Sequence, residues 1–76
     1  MPFEVLLRHA CSNCTEGSIR TYTYNVRSLA RMAGFETIPM HSRWLTKALL
    51  EKVSKLTLGQ QKKFTVAGVK ALQAYD

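Results

Sequence analysis

Apolar residues recur along this chain at intervals of three and four, and polar breaks divide the pattern into four stretches. Phe3, Leu6 and Leu7 fall at i, i+3 and i+4, which predicts a short helix over 2–10 with one apolar face. Pro2 suits its first turn, where a missing N–H costs nothing, and Glu4 lies near the positive end of the helix dipole. So short a helix is unstable alone and must pack on the others. The break CSNCTEGS (11–18) then leads into the most regular stretch. Ile19, Tyr22, Val26, Leu29, Ala30 and Ala33 hold a helical period over four turns, with Ser18 as the expected N-cap and Gly34 as the left-handed closing residue. The polar face of this helix carries Arg27 and Arg31, with Arg20, Thr23 and Tyr24 near them.

Pro39 forces Ile38 away from the α region, so FETIPMHS (35–42) is a connection. Ser42 is the expected cap of a third helix, with Trp44, Leu45, Ala48, Leu49 and Val53 on its apolar side and an end near Lys55. A fourth helix is expected over 57–76, approached by Gly59 and opening with the polar run Gln60 to Lys63. Its buried stripe is Phe64, Ala67, Gly68, Ala71, Leu72 and Tyr75, small enough in places for another helix to approach closely. No strand, repeat or low-complexity segment is evident. The prediction is an all-α fold: one domain over 1–76, a small four-helix bundle of three longer helices and a short N-terminal one.

Charge adds a direction to this picture. Eleven Lys and Arg stand against five Asp and Glu, a net +6, and a small domain this basic is attracted to polyanions, nucleic acid first. The basic residues form no run of five or more, so they decorate helices rather than build a tail. No apolar run approaches the roughly 18 residues of a membrane span, so no membrane partner is expected. MPFEVLLRHA has an acidic residue where a secretory signal is basic, and its apolar run is short. An intracellular setting (cytoplasm, or nucleus or nucleoid) is therefore expected rather than secretion, with both cysteines as thiols.

The sharpest short motif is HACSNC. His9, Cys11 and Cys14 have the spacing of three zinc ligands, and His41 could be the fourth. A structural zinc site normally has a second close ligand pair, which is missing, and a redox CxxC normally follows a strand. Two ordinary loop thiols, with no metal and no cofactor, are the expectation. The acids Glu4, Glu16, Glu36, Glu51 and Asp76 form no evident pair, and no phosphate-cradling glycine motif is present. A bundle this small has little room for a desolvated substrate pocket, so catalysis by this chain is not expected. The basic helices remain. Arg20, Arg27 and Arg31 share a helix with the neutral donors Thr21, Thr23 and Tyr24. Lys62 and Lys63, with Gln60 and Gln61, lie near the start of the last helix, where free N–H groups and cations serve phosphates together. Lys47, Lys52 and Lys55 are expected to be solvated.

SIRTYTYNVRSLARMAGF, then a loop, then WLTKALLEKVSKLTLGQQKKFTVAGVKALQAYD, resembles the core-binding (SAM-like) domain of tyrosine recombinases, the phage-integrase family. Ser18, Thr21 or Thr23, Tyr24 and Leu29 fit the first part of that pattern, and Lys62, Lys63, Thr65, Leu72 and Tyr75 fit its last helix. The resemblance spans about 16–76 and implies a four-helix bundle that clamps one side of double-stranded DNA. It implies that Arg20, Thr21, Tyr24 and Arg27, and Lys62, Lys63 and Thr65 on a second helix, touch the duplex. Arg31 extends the same polar face. The family's catalytic half, an Arg–Lys–His–Arg set with a tyrosine nucleophile, has no counterpart in these residues, and Tyr75 is placed as a packing residue. The implied role is DNA binding without catalysis. The alternative is a small structural or assembly subunit, for example of a viral particle, that meets other protein subunits through Phe3, Phe35, Trp44 and Tyr75.

Overall fold

Side-chain caps decide where the later helices of this chain start. A computed structural model describes residues 3–75, which form α1 (Phe3–Ala10), α2 (Glu16–Met32), α3 (Lys47–Ser54) and α4 (Leu58–Tyr75), with a 3-10 turn at Ser42–Trp44. No strand occurs among the described residues, and the expected all-α bundle is what forms. The roles expected for Pro2 and Asp76 lie outside the described residues.

The N-cap of α2 is Thr15 rather than Ser18: its backbone is extended, and its Oγ1 accepts from the Ser18 N–H at 3.2 Å. Glu16 thereby takes the first-turn position that favours a carboxylate. At the other end Gly34 is left-handed, as expected, with φ 97°. Its N–H donates to the Arg31 carbonyl and that of Phe35 to the Ala30 carbonyl, both at 3.0 Å, which closes the helix in a Schellman motif.

The third helix departs from its prediction. Thr46 is extended and its Oγ1 accepts from the Leu49 N–H at 3.4 Å, so α3 starts at Lys47 and not near Ser42. A threonine that caps cannot also sit inside a helix, and the expected segment splits into a 3-10 turn and two turns of α-helix. The turn is capped by His41, whose Nδ1 accepts from the Arg43 N–H at 3.3 Å. In α4 the Thr57 hydroxyl accepts from the Gln60 N–H at 3.3 Å, which puts Gly59 inside the first turn rather than before it.

All four helices feed one core, in which Leu7, Ile19 and Val26 are completely enclosed. Burying each such side chain contributes about 1.5–3 kcal/mol. The most extensive helix contacts are those of α4 with α2 and α1, and the buried residues of α4 are Ala67, Ala71 and Ala74. Their i, i+4, i+7 spacing makes a flat alanine face, which allows close approach of neighbouring helices.

Four expectations fail here. Leu72 is 48% exposed, because it lies on the side of α4 turned from the alanine face. Thr23 is buried rather than on the polar face, with its hydroxyl unpartnered among the described residues, as is the Oδ1 of buried Asn25. Phe3 and Trp44 are each 4% exposed and therefore core residues, not surface anchors. Gly68 is not a close-contact glycine, since a Cβ there would meet nothing within 4 Å.

Tyr75 packs as expected and adds a polar tie. Its ring meets Phe3 edge-on at 5.7 Å, its hydroxyl accepts from Trp44 Nε1 at 3.0 Å and donates to the Pro39 carbonyl. This joins α1, α4, the 3-10 turn and the 35–41 connection. Burial raises the Tyr75 pKa above 10.0, and the hydrogen bond from Trp44 partly opposes that rise.

Two outcomes test this packing. Gly68→Ala should raise stability by about 1 kcal/mol, because the helix gains and no neighbour is struck; urea unfolding reads it, and destabilisation would mean that a partner lies closer than 4 Å. Tyr75 is protonated more tightly when folded, so its contribution is full below pH 10 and is lost as pH rises through the raised folded value. Thermal melts should therefore fall more steeply above pH 10 for the parent than for Tyr75→Phe. That variant should itself be about 1–3 kcal/mol less stable at neutral pH, because Trp44 Nε1 and the Pro39 carbonyl lose their partner.

Candidate nucleic-acid interface

Arg20, Tyr24, Arg27 and Arg31 are spaced i, i+4, i+7 and i+11 on α2, which aligns them in a stripe about 16 Å long. All four are exposed, Tyr24 at 64%. The stripe stays positive because of where the acids go. Among the described residues the ion pairs are Arg8–Glu4 at 3.0 Å and Arg8–Glu16 at 2.8 Å, so one arginine outside the stripe collects two of the carboxylates. Glu4 and Glu36 also line a shallow depression beside Arg27 and Arg31, which makes the C-terminal end of the stripe less positive than its middle.

The bundle brings Lys63 of α4 to this face, with its Nζ 5.8 Å from the centroids of both the Tyr24 and Phe64 rings. A cation held over an aromatic ring this way is attracted by the negative face of the π system. The other expected contacts separate. Lys62 is exposed and lies 100° around α4 from Lys63, on its outward side. Thr65 lines an apolar groove between α3 and α4, beyond the axis of α4 from the arginine stripe. Its hydroxyl donates to the Gln61 carbonyl at 2.7 Å, and that of Thr21 donates to the Gly17 carbonyl at 3.0 Å. A hydroxyl carries one proton, so neither threonine can donate to a phosphate while these bonds stand. Gln61 is likewise occupied, since its amide donates to the carbonyls of Ser54 at 3.1 Å and Leu56 at 2.8 Å and ties α3 to α4. Lys52 is not simply solvated: its Nζ donates to the Met32 carbonyl at 2.9 Å, at the negative end of α2.

The cysteines are not thiols. Cys11 and Cys14 form a disulfide, with Cα atoms 5.5 Å apart, between the end of α1 and the cap of α2. Sulfurs bonded to each other supply no thiolate to zinc, and His41 is used as the cap of the 3-10 turn. His9, Cys11, Cys14 and His41 are therefore not a metal set, and no group of three or more potential ligands gathers among the described residues.

Sequence reasoning missed Lys70. It lies seven residues after Lys63 on the same edge of α4, with its Nζ 5.3 Å from the Tyr22 ring. The i, i+7 spacing of Lys63 and Lys70 was the available signal. The other surface feature is the α3–α4 groove, about 230 Å³, lined by Leu45, Leu49, Leu50, Phe64, Val69 and Leu72 among others. Among the described residues no helix is long and apolar enough to cross a membrane. No family model, curated protein or solved structure matches the chain.

Proposed function

We propose that this protein is a DNA-binding module that lays the exposed face of α2 on the phosphate backbone of a duplex, in the manner of a recombinase core-binding domain and without catalysis of its own. The observation that carries the reading is the gathering of Arg20, Arg27, Arg31 and Lys63 around exposed Tyr24, with none of the four in an ion pair among the described residues. Guanidinium groups meet phosphates with paired donors, and the phenol of Tyr24 adds a neutral one. The proposed contact set is narrower than the one the resemblance implies: Lys62 and Thr65 lie off this face, and Thr21 stands at its edge. The setting we propose is intracellular, where DNA is present.

A second reading is favoured by a different observation. Leu50, Leu58, Val66, Val69 and Leu72 are exposed on α3 and α4, and several line the apolar groove. Such a surface suits a protein partner, so the alternative is an assembly subunit, of a virion for instance, with these leucines and valines in place of Phe3 and Trp44 as anchors.

Titration of a labelled short duplex at 50 and 200 mM salt separates the two. Four cations on phosphates give a log–log salt slope of about −3.6, which is about 150-fold weaker binding at the higher salt. Arg20→Ala with Arg27→Ala should lower affinity at least tenfold, while Leu72→Ser leaves it unchanged. Absence of binding at 50 mM would sink the DNA reading, and loss of self- or partner assembly in Leu72→Ser would support the second.

A further inference from the structure

Cys11 and Cys14 are both half-buried, Cys14 at the edge of the core, and the surroundings of their disulfide are unusual for a structural staple. The link closes a loop of only a few residues, so it restrains the unfolded chain little compared with a long-range bridge. The turn it spans is already held by backbone bonds from the Cys11 N–H to the Leu7 carbonyl at 2.9 Å and from the Cys14 N–H to the Cys11 carbonyl at 3.1 Å. What stands beside it is a cation: Lys70 Nζ lies 3.9 Å from Cys11 Sγ, positioned over the Tyr22 ring by the approach of α4 to α2. The remaining charged or titratable groups on the adjoining turns are Arg8 and His9 at the end of α1 and Glu16 at the start of α2, with Arg8 and Glu16 engaged to each other.

We propose that Cys11–Cys14 is a redox-active pair that exchanges stoichiometrically with low-molecular-weight thiols, with the ammonium of Lys70 favouring Cys11 as the leaving and returning sulfur. In the reducing direction a small thiolate attacks Cys14 Sγ, forming a mixed disulfide and expelling Cys11 as a thiolate beside Lys70. A second small thiolate attacks the small-molecule sulfur of that mixed disulfide, releasing Cys14 and forming the oxidised small disulfide. Two small thiols lose two electrons and two protons; the protein disulfide gains two electrons, and the protons pass to its thiols or to solvent.

Helix ends act on the two sulfurs in opposite senses. The C-terminus of α1 disfavours a thiolate at Cys11, and the N-terminus of α2 favours one at Cys14. A full charge at 3.9 Å outweighs the half charge of an eight-residue helix whose last turn already holds Arg8 and His9, so Cys11 leads. This inference is independent of DNA binding.

The test is equilibration of the whole chain in glutathione buffers of graded ratio, with acid quenching and separation of the two redox forms. The parent should pass from disulfide to dithiol within the accessible ratios. Lys70→Met, which keeps the apolar stem, should shift the equilibrium toward the disulfide by about tenfold, the expected size for removing a part-buried ionic contact of about 1.4 kcal/mol. Lys70→Arg should stay near the parent. An equilibrium constant unchanged in Lys70→Met, or a parent in which no disulfide forms at any ratio, overturns the proposal. A measurement on the parent alone guards against a variant that does not fold: in the reduced protein at pH 6.5, Cys11 should alkylate several times faster than Cys14 by peptide mass spectrometry. Equal rates, or faster Cys14, contradict the assignment.

Discussion

The close approach of α4 to α2 and α1 through Ala67, Ala71 and Ala74 is the contact on which the rest of this molecule depends. A chain of 76 residues has little apolar surface to enclose, so large side chains must come from the partners, Leu7 from α1 and Ile19 and Val26 from α2. Alanines on α4 let those side chains meet a flat backbone surface without a gap. Any larger residue at Ala71, fully buried, would push the helices apart and cost about 1–3 kcal/mol.

The same approach arranges the surface chemistry. At the edge of the alanine face stand Lys63 and Lys70, and because α4 lies close to α2 they reach over Tyr24 and Tyr22 respectively. One lysine joins the arginine stripe, and the other stands beside Cys11. The stripe also depends on Arg8, which pairs with Glu4 and Glu16 and offsets their charge beside the arginines of α2. A basic face and a sulfur pair beside a cation are thus both consequences of how one helix packs.

Much of this was legible in the order of residues. The period from Ile19 to Ala33 marked α2, and Gly34 marked its end, because only a left-handed residue accepts that closing turn without strain. Arg20, Tyr24, Arg27 and Arg31 share a face by helical arithmetic alone. Less legible was the choice between competing caps: Thr15 and Ser18 both lie at the start of α2, and Ser42 and Thr46 both lie near the start of the third helical stretch. Which one captures a free N–H depends on the tertiary position of the segment that follows. Thr23 and Leu72 were misplaced for a related reason. A helix with neighbours on two sides buries more than its apolar stripe, and α4, apolar on its outer side as well, does not advertise which side is inside. The partnership of Lys63 with Tyr24, and of Lys70 with Cys11, joins residues 39 and 59 positions apart and has no local signature.

The central claim, that one face built from α2 and the edge of α4 meets the phosphate backbone, is tested most directly by backbone amide shift mapping during addition of a short duplex at low salt. The account predicts perturbations concentrated at Arg20, Tyr24, Arg27, Arg31 and Lys63, with Leu50, Val69 and Leu72 unmoved. Perturbations centred on the α3–α4 groove, or none at all, would contradict it.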